Sequence, residues 1–293
     1  MRVFVTGASG FIGSAVTAEL NSAGHQVVGL ARSAASAEAL TADGVEVHRG
    51  ALDDIDSLRA GAVTADGVIH LAFNHDFSDY GGAAETDSRA IEALGDALAG
   101  SDRPLVVAAG LAPLPTGQVL TEDDDVPPGL PRLSEATALR LAERGVRASV
   151  VRLPPTVHGE GDHGFVPRLI DIARDKGVSA YPGDGTNRWP AVHRLDAAVV
   201  FRRVLEAAPV GARLHAVDED GVPTQEIADV IGARLKLPVH SVPVEQAFDH
   251  FGWLGGFFSL DVPASSAVTR SQLDWKPTGP TLLDDLNQDY YFA

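Results

Sequence analysis

Short apolar runs alternate with helix-period segments through the first half of the chain. The apolar runs are RVFVT (2–6), HQVVGLA (25–31), VEVH (45–48), GVIHLA (67–72), PLVVAA (104–109) and RASVVRL (147–153). Helices are predicted between them at about 11–23, 33–42, 54–60 and 83–99, and within GLPRLSEATALRLAERG (129–145). Short apolar strands separated by amphipathic helices are typical of a parallel sheet covered on both faces. The pattern therefore predicts an α/β fold with a doubly wound parallel sheet.

The alternation loosens after residue 153. PPTVHGEGDHGF (154–165) and YPGDGTNRWP (181–190) are rich in glycine and proline and are predicted as loops. A helix at about 196–208 and a strand within ARLHAV (212–217) would return the chain to the sheet. We therefore predict a first domain over 1–155, completed by about 194–217, and a smaller C-terminal lobe over 156–293. Four aromatic residues would form the core of that lobe or roof an apolar pocket: Phe251, Trp253, Phe257 and Phe258.

Charge and composition exclude several classes of function. Lys and Arg total 23 against 40 Asp and Glu, and the net charge of -17 would repel nucleic acid and anionic lipid. With no cysteine, the chain has no disulfide, thiolate nucleophile or cysteine-ligated metal. A strand that starts at Arg2 leaves no room for a signal peptide, and no apolar run approaches membrane-spanning length. We expect a cytoplasmic protein.

A glycine-rich turn joins the first strand to the first helix. VFVTGASGFIGSAV places Gly7, Gly10 and Gly13 between them. The first glycine permits a sharp turn, the second lets backbone approach a pyrophosphate, and the third lets the helix pack closely on the strand. A dinucleotide site is therefore predicted here, and it would include Ser9, Phe11 and Ile12.

The Gly-xx-Gly-xx-Gly spacing resembles the extended or atypical branch of the short-chain dehydrogenase/reductase superfamily, which includes the sugar-nucleotide epimerases. RGALDDIDSL (49–58) is similar to the segment that places an acidic residue, here Asp53, by the adenine. HLAF (70–73) is similar to the motif beside the adenosine ribose, which implies contacts from Leu71, Ala72 and Phe73. VRLPPTVHGEG (151–161) resembles the stretch that holds the nicotinamide carboxamide, here with Pro154 and Thr156, and VHRLDAA (192–198) resembles the return to the last helix. The resemblance implies a Rossmann domain followed by a substrate-binding lobe, and family habit suggests a homodimer.

The end of the second strand bears on the choice of cofactor. NAD-binding relatives usually have an acidic residue there, which accepts a hydrogen bond from the ribose 2′-hydroxyl. This chain has GLARS (29–33), so Arg32 and Ser33 stand where that residue would be. An arginine can pair with a 2′-phosphate. We expect NADP(H), with NAD(H) as the alternative.

The family's usual catalytic residues are missing. Relatives carry a tyrosine four residues before a lysine, and a serine at the end of the fifth strand. The tyrosines here are at 80, 181, 290 and 291 and the lysines at 176, 236 and 276, so no pair has that spacing. Matching SEA (134–136) to the family motif puts Pro131 at the tyrosine, Glu135 at the lysine and Ala109 at the serine. We interpret Ser134 as a helix N-cap and Glu135 as a partner of the helix dipole.

Loops around the nicotinamide must therefore supply any proton donor. FNHDFSDY (73–80) offers Asn74, His75, Asp76 and Tyr80, and later loops offer His158, His163 and His193. Because histidine titrates near neutral pH, His75 and His158 are the catalytic candidates. His193 could instead form a structural pair with Asp196. No metal is predicted, because His158, Glu160, Asp162 and His163 lie in a short glycine-broken loop.

Six residues are the candidates for substrate contacts: Asn74, Asp76, Tyr80, Arg188, Trp189 and His193. We expect a small, apolar or aromatic substrate, and an NADPH-dependent oxidoreductase that reduces a carbonyl, imine or activated alkene with a non-standard donor. An iminium substrate would need no donor. The alternative is a non-catalytic NADP(H)-binding protein that senses redox state. Epimerase or dehydratase chemistry on nucleotide sugars is disfavoured, because those reactions generally use the missing tyrosine.

Overall fold

A seven-stranded parallel sheet forms the centre of the molecule, as seen in a computed structural model that describes residues 1–74, 79–112, 117–125, 129, 132–207 and 210–293. Its strands are β1 (Arg2–Thr6), β2 (Gln26–Ala31), β3 (Glu46–Arg49), β4 (Gly67–His70), β5 (Pro104–Gly110), β6 (Arg147–Leu153) and β10 (Arg213–His215). Their order is β10-β6-β5-β4-β1-β2-β3, and every neighbouring pair is parallel. The prediction of a doubly wound α/β fold is confirmed.

Helices cover both faces of this sheet. They are α1 (Phe11–Ser22), α2 (Ala34–Ala42), α3 (Ile55–Val63), α4 (Tyr80–Leu98), α5 (Ser134–Glu143) and α7 (Arg194–Ala207). Val16 and Leu20 of α1 and Phe201 of α7 belong to one buried apolar cluster. Leu58 of α3 and Leu94 of α4 belong to the cluster on the opposite face. β1 and β4 are neighbours, but β2 and β3 lie on one side of this pair and β5 and β6 on the other. A crevice is expected at the carboxyl ends of β1 and β4, where the strand order reverses.

The remainder of the chain forms smaller elements around a third apolar cluster. They are β7 (Thr156–His158), α6 (Phe165–Lys176), β8 (Ser179–Pro182), β9 (Arg188–His193), β11 (Glu219–Pro223), α8 (Thr224–Leu235), β12 (Val239–Val242), α9 (Ala247–Phe251), α10 (Leu254–Phe258), α11 (Ala267–Leu273) and α12 (Leu282–Leu286). Strands β11, β9 and β7 form one sheet, and β12 pairs with β8. The expectation of loops over 154–165 and 181–190 was therefore wrong in part, because these short strands are fixed by partners distant in sequence. Within the residues described above, every helix is too short or too polar to cross a bilayer.

Candidate active site

The glycine-rich turn lies between β1 and α1, beside the end of β4. Gly7 has a φ of +72°, a left-handed conformation that glycine adopts without strain. A Cβ built on Gly7 would lie 2.8 Å from the Ala72 nitrogen, and one built on Gly13 would lie 1.9 Å from the Gly7 carbonyl oxygen. Ser9 and Gly10 are exposed at the start of α1. The turn therefore has the close packing and the open helix N-terminus that hold a dinucleotide pyrophosphate.

Two arginines flank the end of β2. Arg32 and Ser33 are exposed there, and the Ser33 hydroxyl accepts from the Ser36 N–H and caps α2. Arg49, at the end of β3, donates from Nη1 to the Ser33 carbonyl oxygen at 2.8 Å. Neither arginine forms an ion pair with any residue that the structure describes. Sequence reasoning identified Arg32 and missed Arg49, because the pairing of β2 with β3 is what brings the two together.

A buried hydrogen-bonded network starts at Thr6, next to the glycine-rich turn. Thr6 Oγ1 lies 2.9 Å from His70 Nδ1, and His70 Nε2 lies 3.0 Å from Asp87 Oδ1. Ser134 donates from Oγ to Asp87 Oδ2 at 2.6 Å. Burial alone would raise the pKa of Asp87, but the hydrogen bonds from His70 and Ser134 outweigh it and lower that pKa. The network therefore holds an ionised carboxylate behind the ends of β1 and β4.

Arg132 extends this network to the end of β5. It donates from Nε to Ser134 Oγ at 3.0 Å and from Nη2 to the Ala108 carbonyl oxygen at 3.3 Å. Its Cζ atom lies 4.4 Å from the centre of the Phe73 ring, which is 5.6 Å from the Tyr80 ring. A cation and a phenol therefore share one aromatic ring at the carboxyl ends of β4 and β5. Sequence reasoning considered Tyr80 and missed Arg132, because a single arginine in a loop resembles a surface residue.

His158 lies in a second buried cluster, between β7, β9 and α12. It is fully buried, and its Nδ1 donates to Asp285 Oδ2 at 2.8 Å. The His193 ring lies 5.5 Å away on the neighbouring strand, and burial lowers the pKa of His193. Tyr290 donates its hydroxyl to Asp285 Oδ1. The enclosure of His158 favours a structural role over the catalytic role that we expected for it.

The expected pair of His193 with Asp196 does not form. Asp196 accepts instead from the backbone N–H groups of Thr278 at 3.0 Å and Gly279 at 2.8 Å. That carboxylate therefore ties the start of α7 to the C-terminal segment. His193 Nδ1 is buried without a hydrogen-bond partner among the described residues.

Arg188 and Trp189, both expected to meet the substrate, are placed differently from each other. Trp189 is 1% exposed and packs on Phe258 at 5.0 Å between ring centres, so it belongs to the lobe's core. Arg188 donates from Nε and Nη2 to the two oxygens of Asp261, at 3.0 and 2.9 Å. The pair lines a cavity of about 400 Å³ with Asp184. The burial of Trp189 agrees with the alternative of a structural tryptophan, and the Arg188 guanidinium is already held by a carboxylate.

The four aromatic residues of the 251–260 patch divide into two sets. Phe251 and Phe258 are buried, as the core interpretation predicts, whereas Trp253 is 38% exposed and Phe257 is 42% exposed. Phe165 lies 5.8 Å from the Trp253 ring and 5.7 Å from the Phe257 ring. We call Phe165, Trp253 and Phe257 the aromatic group. His163 comes two residues before Phe165, and the centre of the His163 ring is 5.8 Å from that of Phe11. The segment that leads into the aromatic group therefore contacts the glycine-rich turn.

Comparison with known proteins assigns the family. Residues 3–92 match the NAD-dependent epimerase/dehydratase family. An uncharacterized protein of Schizosaccharomyces pombe is 53% identical over 295 residues, covering 100% of both chains. The chain belongs to the NAD-dependent epimerase/dehydratase family. This family is part of the extended short-chain dehydrogenase/reductase superfamily, so the resemblance seen in the sequence is confirmed.

Two other proteins are similar to this epimerase/dehydratase-family chain, one in sequence and one in fold. The 2-alkyl-3-oxoalkanoate reductase of Stenotrophomonas maltophilia is 28% identical over 229 residues, which cover 72% of this chain and 67% of the reductase. A dTDP-glucose 4,6-dehydratase of Streptomyces venezuelae with bound NAD has the same fold, with a TM-score of 0.80 at 19% identity, over 100% of this chain and 97% of the dehydratase. Family and relatives thus indicate an enzyme of the oxidoreductase or epimerase type that binds a nicotinamide dinucleotide.

Ser134 and Glu135, which the sequence analysis matched to the family motif, both make buried polar contacts. Ser134 does not cap α5 through its side chain, because its hydroxyl binds Asp87 and Arg132. Our N-cap interpretation was therefore wrong. Glu135 accepts from Arg152 at 2.7 and 2.6 Å in a buried ion pair, so its main contact is a guanidinium and not the helix dipole. Pro131 lies outside the described residues.

The other expected site residues differ in their exposure. Leu71, Ala72 and Phe73 come directly after β4 and are half-buried, and Asn74 and Asp53 are exposed. Pro154 is buried, and Thr156 donates its hydroxyl to the Pro190 carbonyl oxygen. His75 and Asp76 lie outside the described residues. Within the described part of the chain, no group of three or more His, Asp or Glu side chains could hold a metal ion.

Asp162, at the turn before α6, predicts a pH-dependent stability. It accepts from the Gly164 N–H at 2.7 Å and from the Tyr291 hydroxyl at 3.2 Å, and burial raises its pKa to about 6. Because its pKa is raised, Asp162 binds a proton more tightly in the folded state than in the unfolded state. The resulting contribution to the free energy of unfolding is complete below about pH 4 and is lost as the pH rises through 6. Asp162→Asn should therefore raise the Tm at pH 7 to 8, with the difference vanishing towards pH 4. Asp229→Asn, at an exposed position in α8, is the control and should show no such trend.

Proposed function

We propose that this protein is an NADPH-dependent oxidoreductase that reduces a small organic carbonyl, imine or activated alkene with a non-standard proton donor. The observation that carries the proposal is the arginine pair at the end of β2, beside an intact dinucleotide turn. The bound cofactor would supply the hydride. The protein would supply orientation, exclusion of water and a proton.

Arg32 and Arg49 support the choice of NADPH. In Rossmann domains the end of the second strand lies beside the adenosine ribose. Here the end of β2 lies beside two guanidinium groups, those of Arg32 and Arg49. Positions 32 and 33 are arginine and serine, so neither provides a carboxylate to bind a 2′-hydroxyl. A 2′-phosphate could accept charge-assisted hydrogen bonds from both arginines. NADH would leave both without that partner.

The two arginines give a test of cofactor choice. A hydrogen bond to a charged group contributes about 1.5–3 kcal/mol, so Arg32→Ala should weaken NADPH binding roughly tenfold to hundredfold. NADH binding should change little. Cofactor fluorescence titrations on the wild type and on Arg32→Ala and Arg49→Ala measure both affinities, and Arg59→Ala, an exposed arginine of α3, is the control. Equal losses for NADPH and NADH would contradict the assignment.

The surroundings of Arg188 argue against a nucleoside diphosphate sugar. Binding of an anionic diphosphate near this cavity would have to compete with Asp261 for the guanidinium. Asp184, which also lines the cavity, adds a second negative charge. Like charges this close repel an incoming anion. An uncharged substrate is therefore favoured over a sugar nucleotide.

The aromatic group favours an apolar or aromatic substrate. Trp253 and Phe257 leave about two-fifths of their surface in solvent, which is unusual for large apolar side chains clustered together. Phe165 packs against Trp253, and His163, two residues earlier in the chain, packs against Phe11 at the glycine-rich turn. Apolar walls with a few polar groups are typical of small-molecule sites. The name of the Stenotrophomonas reductase, which acts on an oxoalkanoate, is consistent with a carbonyl substrate.

A non-catalytic NADP(H)-binding role is the second candidate. The loss of the family's tyrosine and lysine, with Glu135 committed to Arg152, is the observation that favours it. The two candidates differ in turnover. A reductase oxidises bound NADPH when a substrate is added, whereas a redox sensor binds NADPH and leaves it unchanged.

A further inference from the structure

Arg132 is a charged side chain near the carboxyl ends of β4 and β5. In doubly wound sheets, ligands bind in the crevice at the carboxyl ends of the strands. The Arg132 guanidinium contacts the Ala108 carbonyl oxygen at the end of β5 and the Phe73 ring after β4. It also comes one residue after Pro131, the position that the family motif gives to tyrosine. The loop that brings a phenol to the site in relatives therefore brings a guanidinium here.

The guanidinium is held with donors to spare. Nε is engaged by Ser134 Oγ and Nη2 by the Ala108 oxygen, while Nη1 donates to no residue that the structure describes. Ser134 in turn binds Asp87, which binds His70. Arg132 is half-buried, and its charge persists at neutral pH because arginine is not deprotonated in proteins. A fixed, partly desolvated cation whose Nη1 donates to none of the described residues is suited to bind a developing negative charge.

Tyr80 is the acid next to this cation. The centre of its ring lies 5.6 Å from the centre of the Phe73 ring, which Arg132 also contacts. The Tyr80 side chain is half-buried at the start of α4. Burial raises the pKa of the Tyr80 phenol, and the charge of Arg132 opposes that rise. The phenol is therefore protonated at neutral pH. The guanidinium is positioned to stabilise the phenolate that remains after the proton has left.

We infer that Arg132 and Tyr80 are the catalytic residues of this site, Arg132 Nη1 binding the substrate oxygen and Tyr80 giving it a proton. The inference rests on the proposed function and deepens it. The substrate carbon gains a hydride with its electron pair, and the π electrons of the C=O bond move to the oxygen. The oxygen takes the Tyr80 proton, which solvent replaces. The substrate is reduced to an alcohol, and the reduced cofactor, which gives up the hydride, is oxidised.

The charge of Arg132 also selects among the substrate classes. A carbonyl oxygen, in a ketone or in an enone, accepts a hydrogen bond from a guanidinium and becomes negative during hydride transfer. An iminium ion is positive before the transfer, so Arg132 would repel it. The site is therefore expected to reduce carbonyl compounds and to reject preformed iminium ions.

Steady-state kinetics with NADPH and a carbonyl substrate test the inference. Arg132→Met should lower kcat about 100-fold, the loss typical of a deleted oxyanion donor, and leave NADPH affinity unchanged. Arg132→Lys should keep more activity than Arg132→Met. Tyr80→Phe should lower kcat to a similar degree. Arg140→Met, which removes an exposed arginine of α5, is the matched control and should leave kcat unchanged.

Chemical rescue separates a catalytic guanidinium from a structural one. Millimolar guanidinium should restore part of the activity of Arg132→Ala, whereas urea, which has the same shape without the charge, should not. Failure of guanidinium to rescue that variant, full kcat in Arg132→Met, or faster reduction of an iminium ion than of ketones would overturn this inference alone. If the wild type binds NADPH and reduces nothing, the proposed function falls with it.

Discussion

Replacing Glu135 with lysine, the residue that the family motif has at this position, is expected to unfold the protein. Glu135 and Arg152 are both buried, and the glutamate accepts from Nε and Nη2 of the arginine at 2.7 and 2.6 Å. Loss of one partner of a buried ion pair costs about 3–5 kcal/mol. A lysine would add repulsion to that loss, and a domain has only about 5–15 kcal/mol of stability. Urea unfolding and the yield of soluble protein measure the effect.

Two variants sharpen this prediction. Glu135→Gln keeps an acceptor for Arg152 and should lose less stability than Glu135→Lys. Glu143→Lys makes the same charge change at an exposed position at the end of α5, where a cation favours the helix dipole, so it should be close to neutral. A folded Glu135→Lys variant with wild-type stability would show that the Glu135–Arg152 pair is not what holds this helix.

Gly13→Ala is expected to weaken cofactor binding strongly and to destabilise the protein. The added Cβ would lie 1.9 Å from the Gly7 oxygen, so either α1 or the turn has to move. Overpacking in a close-packed interior costs about 1–3 kcal/mol. Because the pyrophosphate binds where the turn meets the helix N-terminus, we expect NADPH affinity to fall about 100-fold or more, an estimate from the loss of that anion site. Calorimetric titration and thermal unfolding measure the two effects.

A glycine-to-alanine substitution at Gly256 is expected to have the opposite effect on stability. Gly256, in α10, is exposed, and a Cβ added there meets nothing within 4 Å. Alanine is favoured over glycine within helices by about 1 kcal/mol, so Gly256→Ala should stabilise the protein slightly and leave NADPH binding unchanged. Wild-type NADPH affinity in Gly13→Ala would contradict the role of the turn.

Local sequence patterns predicted the central sheet and the dinucleotide turn well. The strands and helices of 1–153 follow from apolar periodicity, and Gly10 and Gly13 approach atoms of the turn itself. Gly7 also packs against Ala72, which is distant in sequence. Polar partners distant in sequence were not predictable. Asp87 is 47 residues before Ser134, and Asp261 is 73 residues after Arg188, so neither pair leaves a local signal. The strands β7, β8 and β9 were missed for the same reason, since each is short and pairs with a distant segment.

The candidate site was predictable only in part. The sequence pointed to Arg32 and Tyr80, but to histidines as donors, of which His158 lies enclosed against Asp285. Arg132 was missed because a single arginine in a loop resembles a solvated surface residue. Its one signal was its position directly after the missing tyrosine, next to a serine that reaches inward. Only the fold shows that Arg132 and Tyr80 both lie against the Phe73 ring.

A single-turnover experiment shows whether this protein is an NADPH-dependent reductase. The protein would be loaded with one equivalent of NADPH, with occupancy checked by fluorescence, and mixed with ketones, enones, quinones and imines. We expect loss of NADPH absorbance, in proportion to the bound cofactor, with at least one carbonyl class and faster than with NADH. Full NADPH occupancy with no oxidation by any class would contradict it and favour the redox-sensing role.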